Sequence, residues 1–298
     1  MSSRHWLLVS SSILLACHVN ASPDVTSREY KIMLDVQRFD YASEAQVVDE
    51  FLDDLKGIIA RSIDRSTSGQ FTLAKQREVS FFDVESSCML RESGYSYRER
   101  IDGSKTSVSL KVRSADRYIV GFEDVSSDND SAESKFELDV GMNRHETFRS
   151  IFSASTKYRS YEEIKDIGHI NDQFAGFKKR YEYDDSIPLS RVSNLQVIEH
   201  VYRGFEVDLG KFDAEFDLTI WYDGDLSENT VPVVAEISFS YEDSEAGYSR
   251  NVVRRSKALF EEMQMMGEWI DPDSQTKTNF VYNYDGNFCQ PELQQGAE

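Results

Sequence analysis

Apolar and polar residues alternate with a period of two over several stretches of this chain. Residues 29–36 set Tyr30, Ile32, Leu34 and Val36 against Glu29, Lys31, Met33 and Asp35. Residues 107–113 set Val108, Leu110 and Val112 against Ser107, Ser109, Lys111 and Arg113. The same alternation runs through 135–140, 213–222 and 233–241, and Arg98 and Arg100 share a face in 95–101. Successive side chains of a strand point to opposite faces, so each stretch predicts a strand with one apolar and one polar side. Buried parallel strands read instead as continuous apolar runs, so the sheet is expected to be mostly antiparallel.

Three regions carry helical spacing instead. Ser43 and Gln46 form a capping-box signal ahead of Val47, Val48, Phe51, Leu52, Leu55, Ile58 and Ile59. Phe148, Ile151 and Phe152 suggest a second helix, and Ser160 with Glu163 caps a short piece after it. Val252, Val253, Leu259, Phe260, Met263 and Met266 mark a long amphipathic helix whose apolar stripe reads as core packing. Residues 124–134 are the one low-complexity stretch and read as a solvated loop. The expected organisation is a leader over 1–21, one α+β domain over 22–284 and a polar tail over 285–298.

The leader rests on Arg4, on an apolar run from Trp6 to Ala16 too short to span a bilayer, and on Val19-Asn20-Ala21 as a small-x-small cleavage pattern. Export to the periplasm or the medium follows. A lipoprotein is the alternative, with Leu14-Leu15-Ala16-Cys17 as a lipobox and Cys17 as the anchor. In an oxidising compartment Cys88 and Cys289 are free either to pair or to remain separate buried thiols.

The formal charge of -20 makes nucleic acid and anionic lipid poor partners for the surface. It leaves room for an anionic ligand if basic groups are concentrated in a cleft. The polar strand faces are sorted: Arg98 and Arg100, and Lys111 and Arg113, are cationic pairs, while Glu137 with Asp139 and Glu215 with Asp217 are acidic pairs. Two readings stay open. The charged face is the wet side of an antiparallel sheet, or the sheet closes with its charges inward around a wet interior. In the second case the cations grip phosphate oxygens and the carboxylates hold a hard divalent ion. Among other chemistries, His145, His169 and His200 lack metal-ligand spacing, and there is no Gly-x-Ser-x-Gly, P-loop or dinucleotide turn.

The residues themselves resemble a family. Ser27-Arg28-Glu29-Tyr30-Lys31 looks like the Glu-x-Glu-x-Lys strand of the CYTH domains, or triphosphate tunnel metalloenzymes. Phe81-Phe82-Asp83-Val84, Met89-Leu90-Arg91, Gly94, Tyr97-Arg98-Glu99-Arg100, Ser109-Leu110-Lys111 and Lys135-Phe136-Glu137-Leu138-Asp139 follow in the family's order. Arg203, Ala214-Glu215-Phe216-Asp217 and Ala235-Glu236-Ile237 continue it over residues 27–282. The resemblance implies an eight-stranded antiparallel tunnel-like β-barrel with helices outside. It also implies a triphosphate-type ligand and Mg²⁺ or Mn²⁺ as cofactor.

Carried over residue by residue, Lys31, Arg98, Arg100, Lys111, Arg113 and Arg203 would bind the phosphates. Glu29, Glu137, Asp139, Glu215, Asp217 and Glu236 would hold the metal. No catalytic side chain is singled out. Ser27 and Ser238 stand where the family has carboxylates, and Asp139 and Asp217 where Glu is usual. The basic set is thus better kept than the acidic one, and ligand binding is implied more directly than hydrolysis. Metal-dependent phosphohydrolase, non-catalytic polyanion binder and carrier or scaffold of the cell envelope all remain in play. Nucleoside triphosphates are scarce outside the cytoplasm, so an exported member would meet inorganic polyphosphate or another polyanion.

Overall fold

The computed structural model describes residues 23–290 except 144, 225, 272 and 274. The leader, Cys17 and residues 291–298 lie outside the described residues.

The described residues form nine strands: β1 (Ser27–Met33), β2 (Thr67–Asp83), β3 (Tyr95–Asp102), β4 (Lys105–Ser114), β5 (Glu133–Gly141), β6 (Arg149–Ser160), β7 (Ser190–Asp208), β8 (Asp213–Asp223) and β9 (Val234–Glu242). Seven α-helices accompany them: α1 (Glu44–Ser62), α2 (Met89–Glu92), α3 (Arg117–Gly121), α4 (Ile167–Gln173), α5 (Ala175–Tyr181), α6 (Arg250–Met263) and α7 (Lys277–Tyr284). The sheet closes on itself in the order β1-β5-β6-β4-β3-β2-β7-β8-β9. The expected α+β closed sheet is present, with nine strands in place of eight. Every neighbouring pair is antiparallel except β1 with β5, which run parallel with Glu29 opposite Asp139.

The apolar faces point outward and are covered. On one side Tyr30, Ile32, Phe216, Leu218, Ile237 and Phe239 pack under α1 and α6, whose Phe51, Leu55, Ile59, Leu259 and Phe260 are buried with them. On the other side Tyr97, Val108, Leu110 and Tyr158 pack under α4 and α5 through Ile167, Ile170, Phe174 and Phe177. Each fully buried Leu, Ile or Phe of this kind contributes about 1.5–3 kcal/mol relative to exposure. The start of α1 is also fastened by a polar cluster. The buried Glu44 carboxylate accepts hydrogen bonds from the Tyr202 and Tyr222 hydroxyls, each at 2.6 Å, and lies 2.8 Å from His200 Nδ1.

A third apolar layer lies inside the sheet, at one end. Met33, Val79, Phe81, Val197, Trp221 and Val234 belong to the inward rows of their strands, and Val281 and Tyr282 of α7 pack on them. Cys88 and Cys289 pair in a disulfide, 201 residues apart in sequence, beside this layer. The start of the expected polar tail is therefore docked: Phe288 is buried and Cys289 is bonded.

Three local expectations need correction. Residues 149–160 are strand, not helix. The spacing of Phe148, Ile151 and Phe152 was too short a match to outweigh the alternation of Phe152, Ala154, Thr156 and Tyr158 that follows. Ser160 starts no helix; its hydroxyl accepts from the Glu162 amide in a turn, and α4 begins only at Ile167. Ser43 does precede α1, but its side chain caps no amide of the helix and donates instead to Asp40 at 2.6 Å.

Candidate functional site

The inward rows enclose a cavity of about 1230 Å³. Twelve Lys and Arg side chains line it against eight Asp and Glu, whereas the whole chain has 33 against 53. The lining thus carries an excess of cations inside a strongly anionic protein. Strand parity creates this arrangement. Once Tyr97, Leu110 and Tyr202 turn outward to the helices, Arg98, Lys111 and Arg203 must turn inward.

Of the twelve residues expected at the site, eleven line this cavity: Lys31, Arg98, Arg100, Lys111, Arg113, Arg203, Glu29, Glu137, Asp139, Asp217 and Glu236. Glu215 does not. It sits on the inward row of β8 but toward the strand's exposed start, opposite Glu206 and Ser240, and faces solvent.

One wall is acidic and internally neutralised. Lys31 Nζ lies 2.8 Å from Glu29 and 3.0 Å from Asp139. Lys111 Nζ lies 3.1 Å from Glu137 and 3.2 Å from Asp139. Lys135 lies 3.0 Å from Glu137. Burial would raise the Asp139 carboxyl, but Lys111 and Lys31 outweigh it and hold the group far below the ordinary range. Glu137 is lowered the same way, with Lys111 the main opponent of its burial. Lys31 loses some proton affinity to burial and regains more from Asp139 and Glu29, so its pKa is raised. Lys111 is pulled down by burial in spite of both its partners.

The other wall is basic. Arg77, Arg98, Arg100, Lys111 and Arg113 come from the adjacent strands β2, β3 and β4. Glu199 is buried among them: Arg77 Nε donates to it, Arg100 Nε lies 3.8 Å away, and Trp221 Nε1 donates to its other oxygen at 3.0 Å. Burial opposes its ionisation, and Arg100 and Arg77 overcome that and hold its pKa below the carboxylate range. Near the mouth Asp217 binds the half-exposed Arg203 at 2.7 Å, and toward α7 Lys277 binds Glu236 at 2.7 Å.

All eight carboxylates that line the cavity thus have a Lys or Arg partner, Glu133 and Glu242 included. The reverse does not hold. Arg91, Arg98 and Arg113 line the cavity, and none has a carboxylate within 4 Å among the described residues. Arg98 leans on the Phe81 ring at 5.8 Å, and its Nε is buried without a hydrogen-bond acceptor. Burial, then the charge of Arg100, holds the Arg98 pKa well below the usual arginine value. Burial brings Arg100 down to about 10. Arg98 thus has no carboxylate partner among the described residues, whereas Arg100 shares Glu199 with Arg77. Arg113 donates to Ser96 Oγ at 3.0 Å.

The chain is similar to several solved structures. One is a Hippeastrum protein proposed to be an adenylyl cyclase, in which triphosphatase activity is dominant. It shares 14% identity over 87% of this chain and 96% of that one, with a TM-score of 0.40. A Bacillus halodurans protein proposed to be an adenylate cyclase shares 11% over 86% and 96%, also at 0.40. One from Vibrio parahaemolyticus shares 10% over 87% and 99%, at 0.35. No protein-family model and no curated protein matches this chain.

The divalent cation implied by the sequence resemblance asks for several oxygen ligands free to converge on one point. The oxygens are present in Glu29, Glu137 and Asp139, but ammonium groups occupy the space among them. Among the described residues no three His, Cys, Asp or Glu side chains converge so as to hold a metal. This donor set does not fit a resident divalent ion as it stands.

Among the charged lining residues that the sequence did not single out are Arg77, Arg91, Glu199, Lys135 and Lys277. Glu199 shares its row with the expected Arg203, and Lys135 with Glu137, so parity alone could have found both. Arg77 shares its row with the apolar Val79 and Phe81, so no run of polar residues marks that face. Lys277 starts a helix and carries no periodic signal.

Proposed function

We propose that this protein binds a chain-like phosphate anion, of the triphosphate or polyphosphate type, inside its closed sheet. The observation that carries the reading is the lining's surplus of cations, with Arg91, Arg98 and Arg113 lacking carboxylate partners while every lining carboxylate is paired. Partly buried cations without a paired carboxylate cost free energy, and an anion that meets them relieves that cost. Guanidinium groups suit phosphate because they offer several donors in a fixed plane.

Extension of the ligand follows from spacing. Residues two apart on a strand are separated by about 7 Å, so Arg98 with Arg100, and Lys111 with Arg113, form rows longer than one phosphate. A single small anion would engage only part of either row.

Binding rather than turnover is the better supported role. Each carboxylate that could act as a base beside the arginines is already tied to a cation. The Cys88–Cys289 disulfide and the leader-like first 21 residues support export, where such a site would meet inorganic polyphosphate.

A thermal-shift series with orthophosphate, pyrophosphate, tripolyphosphate and longer polyphosphate tests the reading. A ligand that binds only the folded state raises the melting temperature. The shift is expected to grow from orthophosphate to tripolyphosphate. No shift with any of them would contradict the assignment.

A further inference from the structure

The acidic wall has an arrangement that the family resemblance does not lead one to expect. Its carboxylates Glu29, Glu137 and Asp139 are matched by three ammonium groups, Lys31, Lys111 and Lys135, the last also reaching the exposed Glu242. Asp139 lies between two of them, bonded to Lys31 at 3.0 Å and to Lys111 at 3.2 Å. A divalent ion entering this corner would have to expel an ammonium group or sit beside it. Either course costs electrostatic energy in a partly buried site.

Two sequence positions reinforce the point. Ser27 and Ser238 stand on the inward rows of β1 and β9, and both are buried. Ser27 lies opposite Glu137 and Glu242, and Ser238 opposite Lys31 and Asp217. A carboxylate at either position would give the corner negative charge beyond what its lysines neutralise. The serine hydroxyl adds none, and the Ser27 hydroxyl has no hydrogen-bond partner.

We propose that this chain takes up its phosphate anion without a resident divalent cation, the ammonium groups of Lys31 and Lys111 filling the place of the metal. The inference rests on the phosphate-binding reading above and concerns how that same site is charged. The lysines neutralise the acidic wall, so the anion meets the arginine wall without repulsion from free carboxylates opposite. Added Mg²⁺ then has no site of its own in the protein and competes for the ligand in solution.

Calorimetric titration of the full chain with tripolyphosphate, once in EDTA and once in excess Mg²⁺, decides the matter. Titration with Mn²⁺ alone, followed by the loss of its free-ion electron paramagnetic resonance signal, is run beside it. Expected are a binding isotherm in EDTA, an affinity in Mg²⁺ that is equal or weaker, and no stoichiometric Mn²⁺ site. Binding only in Mg²⁺, or an affinity about tenfold or more higher there, overturns the proposal while leaving phosphate binding itself intact. So does a stoichiometric Mn²⁺ site in the protein alone. Absence of binding under both conditions defeats the phosphate-binding reading and this inference with it.

A Lys31→Ala variant supplies an independent arm. It frees Glu29, leaves Asp139 with Lys111 as its one remaining ammonium partner among the described residues, and is expected to gain Mn²⁺ affinity that the parent protein lacks. A folded variant that gains none would show that the ammonium group is not what excludes the metal, and would overturn the proposal.

Discussion

Arg77 and Glu199 stand opposite each other in the β2–β7 ladder, and the arginine donates to a carboxylate whose second oxygen receives the Trp221 indole. The Glu199 side chain is only 2% exposed, and Arg100 approaches from the next strand. One buried carboxylate thereby serves two guanidiniums and anchors the basic wall. Removing one partner of a buried pair leaves the other uncompensated, at a cost of about 3–5 kcal/mol. Glu199→Gln is accordingly expected to lower stability by about that amount in denaturant titration. A change within about 0.5 kcal/mol would show that Arg77 and Arg100 do not depend on it.

Arg98 and Arg113 are expected to act in the opposite sense. Neither has a carboxylate to lose, so Arg98→Met should leave the ligand-free protein as stable or make it more stable. Its affinity for tripolyphosphate should fall about tenfold or more, the worth of a charge-assisted hydrogen bond. Melting curves with and without ligand read both effects. A variant that is destabilised when free but retains full affinity contradicts the assignment.

Stability should depend on acid in a defined window. The folded-state pKa values of Glu199, Asp139 and Glu137 lie below those of the unfolded chain, near 4. As pH falls, the unfolded chain therefore binds protons first. The contribution of these groups is complete above about pH 5 and is lost as pH drops below about 4 toward the folded values. Melting temperature measured from pH 7 to pH 3 should fall over that lower range. In Glu199→Gln the fall should be shallower. An identical pH profile for the variant would show that Glu199 contributes nothing to it.

The Cys88–Cys289 disulfide ties the segment after α7 to the corner between β2 and α2. A cross-link closing so long a loop stabilises by about 2–5 kcal/mol, chiefly by restricting the unfolded chain. Cys88→Ser with Cys289→Ser should lower stability by that order. Lining residues on β3 and β4 are held by their own ladders, so tripolyphosphate affinity should change little at temperatures where the variant is folded. Denaturant titration and calorimetry measure the two effects separately.

Much of the site was legible because strand parity is a strict rule. Once Val108, Leu110 and Val112 are assigned to the covered face, Lys111 and Arg113 have only one place to go, and the same holds for Glu137 and Asp139. The sequence could not reveal how far along its row each charge lies. Glu215 and Asp217 share a parity, yet only Asp217 lines the cavity, because the closing sheet leaves Glu215 at its exposed end. The two longest strands also escaped a pattern-based reading. β2 pairs with β7 through three register shifts, and near the first of them Gly69 and Gly204 adopt positive φ where their backbones approach closely. Each bulge breaks the alternation that identifies a strand. β6 was hidden by three residues that happened to fit a helix.

The most direct test of phosphate-chain binding inside the sheet is a crystal structure of the protein with tripolyphosphate. The ligand is expected in the cavity, with its oxygens within hydrogen-bond distance of Arg98 and Arg113 and its chain along the β3–β4 wall. Tripolyphosphate bound only on the outer surface, with the interior cations unengaged, would contradict the account.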